Sequence, residues 1–483
     1  MLNDYIYTII EKSLGFEILP GQKKALEKLA KFVDLSSNES EIFMLKGYAG
    51  TGKTTIIGGL VKAFDDLKIK SVLLAPTGRA AKVLSSYSGK PAYTIHKKIY
   101  RQKSSVDGFG KFSIDANLHT NTIFIVDEAS MISNSGYDNS VFGSGKLLDD
   151  LILYVYNNKK CKLILSGDTA QLPPVGLNVS PALDSKFLEQ YDKKIIKIEL
   201  TEVVRQTKDS GILFNATKLR NIIQKESKKS THKEILNYPE IYLKNFTDIR
   251  RITGSELIES ISESYDKYSE KGVAIICRSN KRANRYNEGI RRSILYKEDE
   301  ISVGDLLMIV KNNYFWASDV PDMEFIANGD TAEITKIYRY TERYGYRYAD
   351  VRLCFQDYNE VEIDTKILID TLHSETASLT SEQNKELFFR IAEDFAEEKL
   401  KKKKFDNIKE HPFFNALQVK FAYAITCHKA QGGQWEKVFV DQGWLPENSI
   451  DVEYLRWLYT AFTRSSSKLD LVNFNDDFFV KNS

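Results

Sequence analysis

Glu41-Ile42-Phe43-Met44-Leu45-Lys46-Gly47-Tyr48-Ala49-Gly50-Thr51-Gly52-Lys53-Thr54 is the stretch from which the fold is read. An apolar run suited to a buried strand (41–45) enters a glycine-rich turn, and a helical pattern then continues through Phe64. Residues 47–54 match G-x-x-x-x-G-K-[ST] in the strand–turn–helix setting that the motif requires. Glycine lets successive backbone N–H groups point inward around a triphosphate, at a helix N-terminus that already favours negative charge. Lys53 is placed to reach the β- and γ-phosphates, and the Thr54 hydroxyl to ligate Mg²⁺. Gly47, Gly50, Thr51, Gly52 and Thr55 complete the expected cradle, so ATP with Mg²⁺ is the expected ligand.

Further strand-like runs follow at 71–75, 122–126 and 162–165, separated by helix-length segments. That alternation predicts a parallel sheet covered on both faces. Upstream, Leu2 to Phe32 reads as helical with a break at Leu19-Pro20-Gly21. Between two of the strands, the polar stretch 101–120 contains Asp107-Gly108, a hairpin-turn signal that marks a small insertion. Residues 224–233 read as a surface loop. A second strand–helix series starts at Val273–Cys277, pauses near Ser302, and gives way to the short strands DLLMIV, TAEITKIYRY and YADVRLCF, the pattern of a small antiparallel barrel. The helical segment 381–404 ends in Lys401–Lys404, read as a solvated face, and strand character returns at 419–426 and 438–440.

A length of 483 residues predicts two to four domains, and 42% apolar residues can fill several cores. With 68 Lys+Arg against 66 Asp+Glu, a net charge of +2 excludes a polybasic chain, so any nucleic-acid affinity must come from local patches. Cys161, Cys277, Cys354 and Cys427 are dispersed without zinc-like spacing. No leader-like or membrane-length apolar run is visible. The expectation is a cytoplasmic protein in a reducing compartment, with no membrane contact.

The second chemical signal is Thr122-Ile123-Phe124-Ile125-Val126-Asp127-Glu128. A buried-type strand ending in two carboxylates places Asp127 beside the phosphate loop, where it can hold Mg²⁺, and lets Glu128 orient or deprotonate a water. An acidic helix cap is the plain alternative. The third, Ser166-Gly167-Asp168-Thr169-Ala170-Gln171-Leu172-Pro173-Pro174-Val175-Gly176, is a rigid loop whose Gln171 amide can sense a γ-phosphate, although a glycine- and proline-rich turn needs no such role.

The order DEAS then GDTAQLPPVG resembles the superfamily 1 helicases, in particular their RecD-like and Dda-like members, which move 5′→3′ on single-stranded DNA. Further segments resemble that family in order: Leu19-Pro20-Gly21-Gln22, whose glutamine would read adenine; Ala75–Ala81 and Thr94-Ile95-His96, which would contact the strand; and Glu202–Gln206, whose Arg205 would face the γ-phosphate. Ala424–Gly433 and Leu458–Arg464 follow, with Arg464 as the arginine finger. Cys427, Ala430 and Gln434 depart from the pattern, and Gln434 is given no catalytic role.

The resemblance implies an α/β chain with two RecA-like motor domains, a small β-hairpin insertion and an SH3-like β-barrel insertion. Its boundaries are 1–85 with 121–197, 86–120, 198–303 with 415–483, and 304–414 for the barrel plus a helical extension. Lys53, Glu128, Gln171, Arg205 and Arg464 would carry hydrolysis, and Thr54 with Asp127 the metal. Thr77, Gly78, His96, Asn280, Thr426, His428 and Lys429 sit where phosphates and sugars could be held. The His residues have structural hydrogen bonding as an alternative, and Phe413 and Phe414 are read as core, with base stacking as the alternative. Asp107–Phe112 suggests a hairpin tip; by resemblance Phe109 or Phe112 would be the pin that splits a duplex. The expected activity is 5′→3′ DNA unwinding by a monomer acting on single strands and single/double-strand junctions, with replication or recombination proteins as candidate partners. A translocating or remodelling ATPase on DNA or RNA and a nucleotide-dependent switch are the competing readings.

Overall fold

Six parallel strands form the first sheet of the computed structural model, in the order Ala92–Thr94, Lys70–Ala75, Thr122–Val126, Lys162–Gly167, Glu41–Gly47, Lys194–Leu200. The structure describes all residues except 1, 15–17, 34–39, 103–111, 137–141, 204–209, 228–235, 319, 321–322, 324, 356–357, 359, 447–448 and 481–483. Side-chain alternation along Glu41–Gly47 feeds two cores at once. Phe43 and Leu45 pack under the helices Pro20–Phe32 and Lys53–Asp66, while Ile42 and Met44 face Leu148 and Leu151 of the helix Leu147–Tyr156. Burial on both faces explains the unbroken apolar runs. Because the strands are parallel, Gly47, Asp127 and Asp168 all emerge at one edge.

The second sheet is also parallel, ordered Ala424–Thr426, Val273–Cys277, Trp435–Asp441, Ser465–Val472, Ile249–Ile252. A closed barrel is inserted in it, from Leu306–Ile309, Thr331–Arg343, Tyr346–Phe355, Val361–Leu368 and Leu417–Phe421. The apolar stretch 419–426 is therefore two strands. Ala422 N–H still donates to the Leu306 carbonyl in the barrel, whereas the Tyr423 carbonyl accepts from Ile275 in the sheet. Residues Gln224–Glu226 end the helix Gly211–Glu226 rather than a loop, and Lys401–Lys404 begin a helix (Lys401–Lys409) rather than end one. Phe413 packs edge-on against Tyr348, and both Phe413 and Phe414 border the small core under the helices 381–409, as read. The strands Tyr100–Gln102 and Phe112–Ile114 pair antiparallel; the Asp107-Gly108 turn between them lies outside the described residues.

The barrel is fixed to the second sheet by one buried carboxylate. Asp305 takes two guanidinium hydrogen bonds of 3.0 Å from Arg291, one hydroxyl bond of 3.1 Å from Tyr423, and the Lys297 ammonium at 3.2 Å. Arg291 comes from the helix Asn280–Ser293, Asp305 opens the first barrel strand, and Tyr423 follows the last. Removing one member of a buried pair strands the other charge, at about 3–5 kcal/mol. Asp305→Ala is expected to lose that much in urea unfolding; a loss under about 1 kcal/mol would show that the clamp is dispensable.

Candidate nucleotide cleft and nucleic-acid channel

The strand Glu41–Gly47 delivers a loop whose Gly50 and Gly52 hold φ of 76° and 83°, values that a side chain resists, so the turn needs glycine there. Lys53 then opens its helix, with its ammonium on the Tyr48 carbonyl at 3.0 Å. Gln22 is buried; its amide donates to the Thr51 carbonyl at 2.9 Å and accepts from Leu19 N–H at 3.1 Å, bracing the loop from behind. Thr54 Oγ1 donates to Asp127 Oδ2 at 3.2 Å, and Ser166 Oγ to Asp127 Oδ1 at 2.8 Å. A hydroxyl beside a carboxylate is a hard oxygen donor set that suits Mg²⁺.

Glu128 follows in the left-handed region, φ 52° and ψ 36°, unusual for a residue with a long side chain. Burial, then the neighbouring Asp127, push its carboxyl above the ordinary range, against the pull of Arg464 and Lys53. Lys53, Thr54, Thr55, Asp127, Glu128 and Gln171 line one cleft together with Gly433, Gln434 and Arg464 from loops at the edge of the second sheet. Gln171 Oε1 is buried without a hydrogen-bond partner among the described residues. Arg464 is held by the Thr460 and Gly433 carbonyls, each at 3.2 Å. Arg205 lies outside the described residues.

A second hollow opens under the barrel and collects Thr77, Gly78, His96, His428 and Lys429. A smaller one beside it holds Asn280 and Thr426 and shares Lys429. Asn280 donates to the Glu375 carbonyl at 3.1 Å, and Thr77 caps the helix Gly78–Ser88 through Ala80 N–H. The turn 327–330 of the barrel touches the helix Gly78–Ser88 and the short helix Cys427–Ala430. A Cβ on Gly78 would lie 2.5 Å from Asp330 Oδ1, and Lys429 donates to Asn328 Oδ1 at 2.6 Å. Burial lowers the Lys429 ammonium to about 8, and lowers His428 as well. Phe109 lies outside the described residues; Phe112 stacks on Phe142 at 4.7 Å and meets Tyr314 of the barrel region at 5.1 Å.

A family profile described as an AAA domain matches residues 18–230, and one described as a UvrD-like helicase C-terminal domain matches 421–472. A protein of Acanthamoeba polyphaga mimivirus is 26% identical over 93% of this chain and 98% of its own length. The ATP-dependent DNA helicase dda of Enterobacteria phage T4 is 28% identical over 61% of each chain, and the RecBCD enzyme subunit RecD of Buchnera aphidicola 25% over 95% of this chain and 74% of its own. A solved structure, described as the basis for DNA unwinding at forked duplex DNA by two coordinating Pif1 helicases, aligns over 97% of this chain and 95% of that one at 15% identity, with a TM-score of 0.50; it bears on the fold. The chain belongs to the superfamily 1B helicases.

This superfamily 1B chain carries channel residues that its sequence did not single out. Lys311 and Lys420, like Lys429, are dehydrated ammonium groups whose described partners are neutral oxygens: Asn384 Oδ1 for Lys311 and the Ser374 carbonyl for Lys420. Burial lowers all three, Lys420 to about 8. Nothing in their local sequence marks them, whereas Tyr314-Phe315-Trp316 was a visible aromatic signal: Tyr314 stacks on Phe325 at 4.9 Å in the channel wall. No helix is long and apolar enough to cross a membrane, and no group of three or more His, Cys, Asp or Glu side chains has metal-holding geometry, among the described residues.

His96 sits against Tyr100 and Phe142, and burial lowers its imidazole to about 4, opposed by Asp150. It is therefore neutral near pH 7 and would meet a nucleic acid by hydrogen bonding rather than charge. The folded value lies below the ordinary 6.5, so the unfolded chain takes up the proton first as pH falls. Stability is complete above 6.5 and is lost on descending to about 4. His96→Gln should flatten that part of the pH profile in urea unfolding at pH 7 and pH 5; equal slopes in both proteins would assign the loss elsewhere.

Proposed function

We propose that this chain is an ATP-dependent DNA helicase that moves 5′→3′ along single-stranded DNA and opens duplex ahead of it. The observation that carries the reading is the cleft that holds Lys53 and Glu128 from the first motor and Arg464 from the second. A triphosphate in the loop Gly47–Thr55 would be held by Lys53 and by the backbone N–H groups around Gly50, Thr51 and Gly52, with Gln22 steadying the loop; reading of the base by Gln22 is taken from the resemblance. Mg²⁺ on Thr54 and Asp127 would neutralise phosphate charge when bound. Glu128 accepts the proton of the attacking water, a task suited by a carboxyl held above its ordinary range. Arg464 stabilises the charge that develops on the transferred group, and Gln171 connects that event to the second motor; Arg205 is given the same task by the resemblance alone.

The single strand runs through the channel beneath the barrel, past Thr77, Gly78, His96, Thr426, His428, Lys429 and Asn280. Three ammonium groups with neutral described partners, Lys311, Lys420 and Lys429, suit a phosphate backbone. Phe109 and Phe112 are the pin candidates. The similarity to the ATP-dependent DNA helicase dda of phage T4 supports a helicase that acts on DNA, and the polarity is taken from the resemblance to the RecD-like and Dda-like group.

ATP hydrolysis with and without a single-stranded oligonucleotide, then unwinding of 5′- and 3′-tailed duplexes, tests the reading. Stimulated hydrolysis with opening of the 5′-tailed duplex alone is expected; stimulation without strand separation would leave a translocase. Lys53→Ala should lower stimulated turnover by at least about 100-fold, the scale of one lost transition-state contact. Lys429→Ala should weaken oligonucleotide binding and reduce the slope of log affinity against log salt by about 0.7, the value for one phosphate contact on a single strand. An unchanged slope would remove Lys429 from the path.

A further inference from the structure

The loop Asp168–Leu172 of the first motor is gripped by the second. Arg456 donates to the Thr169 carbonyl and, at 3.4 Å, to the Gln171 carbonyl. Thr460 Oγ1 accepts from Leu172 N–H at 2.9 Å, and Gln431 donates to the Leu172 carbonyl at 2.8 Å. Tyr459 does something different. Its hydroxyl donates to Asp168 Oδ2 at 2.7 Å and accepts from Ala49 N–H, inside the phosphate loop, at 2.9 Å. One oxygen of the second motor thus ties together the two loops that line the nucleotide cleft, and both Tyr459 and Asp168 are fully buried.

Tyr459 lies on the helix Val452–Phe462, which leads directly into Thr463 and Arg464. Arg464 is bonded to the Thr460 carbonyl of the same helix, so the finger and the tyrosine move as one body. Two hydrogen bonds at 2.7 and 2.9 Å tolerate little displacement, since their strength falls steeply with misalignment. A shift of that helix by roughly 1 Å would forfeit both and leave a buried carboxylate and a half-buried amide each short of a partner.

We infer that Tyr459 is a positioning residue that joins closure of the motor cleft to the phosphate loop, its hydroxyl completing the Ala49–Tyr459–Asp168 bridge only where Arg464 is aligned with Lys53. The inference rests on the ATP-hydrolysing reading above and adds to it the group through which the second motor senses the loop. Gln171, two peptide units beyond Thr169 on the gripped loop, would be carried into register by the same contact.

The test compares full-length wild type, Tyr459→Phe, Asp168→Asn and the double variant. Phenylalanine keeps the ring and deletes the bridging oxygen. The expected result is a fall of about tenfold in DNA-stimulated kcat, equivalent to about 1.4 kcal/mol, with KM for ATP within about twofold. The double variant should be no slower than Asp168→Asn alone, because both substitutions break one bridge. Unchanged kcat, multiplicative losses in the double variant, or a rise in KM matching the loss in kcat would each overturn the assignment. If Tyr459→Phe does not fold with a bare buried carboxylate, the double variant removes that charge and must show the same tenfold loss. A wild type without DNA-stimulated hydrolysis would instead remove the helicase reading itself, a separate outcome seen before any variant is compared.

Discussion

The burial of Asp168 at the junction of the two motors is the constraint on which the arrangement turns. A carboxylate without solvent must be met by donors on every side, and here they come from two places: Ala170 N–H at 2.8 Å within its own loop and the Tyr459 hydroxyl at 2.7 Å from the other sheet. Arg456 is likewise buried, its guanidinium spent on carbonyls of that loop, and burial holds its pKa down. These groups are satisfied only when the two sheets stand in one relation. Hydrophobic contact reinforces this, since Tyr48 of the phosphate loop and Ala170 and Leu172 belong to the same apolar cluster as Tyr459 and Phe462. A cleft built this way keeps Lys53, Glu128 and Arg464 together by polar contacts that a modest rotation would break.

The barrel imposes the second relation. Its interior residues Leu307, Ile309 and Val351 form one cluster with Val273, Ile275 and Cys277 of the second sheet, so it rides on that sheet as a packed extension. Its turn 327–330 nevertheless presses on Gly78, the start of a helix of the first motor, roofing the channel from both sides. Arg79, stacked over Trp435 at 4.0 Å, is a further contact across the same divide. The chain as a whole is almost neutral at +2, yet Lys311, Lys420 and Lys429 stand along this channel with neutral oxygens as described partners. Local field rather than net charge is what an anionic polymer would meet.

The parts legible in the sequence are those whose chemistry is contained in a few consecutive residues. Gly47–Thr54 announces a strand, a turn with positive φ and a helix start, and each is found there. Asp127 at the end of an apolar strand could be placed beside Thr54 because parallel strands put their C-terminal ends at one edge. Less legible were strands with mixed faces: Ile249–Ile252 reads as IRRI, and Ser465–Val472 begins with three serines, although both are sheet members. Their charged or polar residues face specific partners, as when Arg250 and Lys437 both meet buried Asp470. The division of 419–426 between barrel and sheet was hidden for a similar reason, since Tyr423 turns its hydroxyl to Asp305, 118 positions away.

By itself, the sequence determined the nucleotide loop, the acidic pair, the two α/β series, the barrel between them and the family to which they belong, because local backbone geometry and strand periodicity are written in neighbouring residues. It could not show which distant side chains would share one cleft. That Tyr459 bridges Ala49 and Asp168, that Gln22 is bound to Thr51, and that Lys311, Lys420 and Lys429 line one channel were decided by tertiary packing. Burial raises the cost of every unpaired donor and charge, so the partners that satisfy them are selected by where the chain folds back, not by their separation along it.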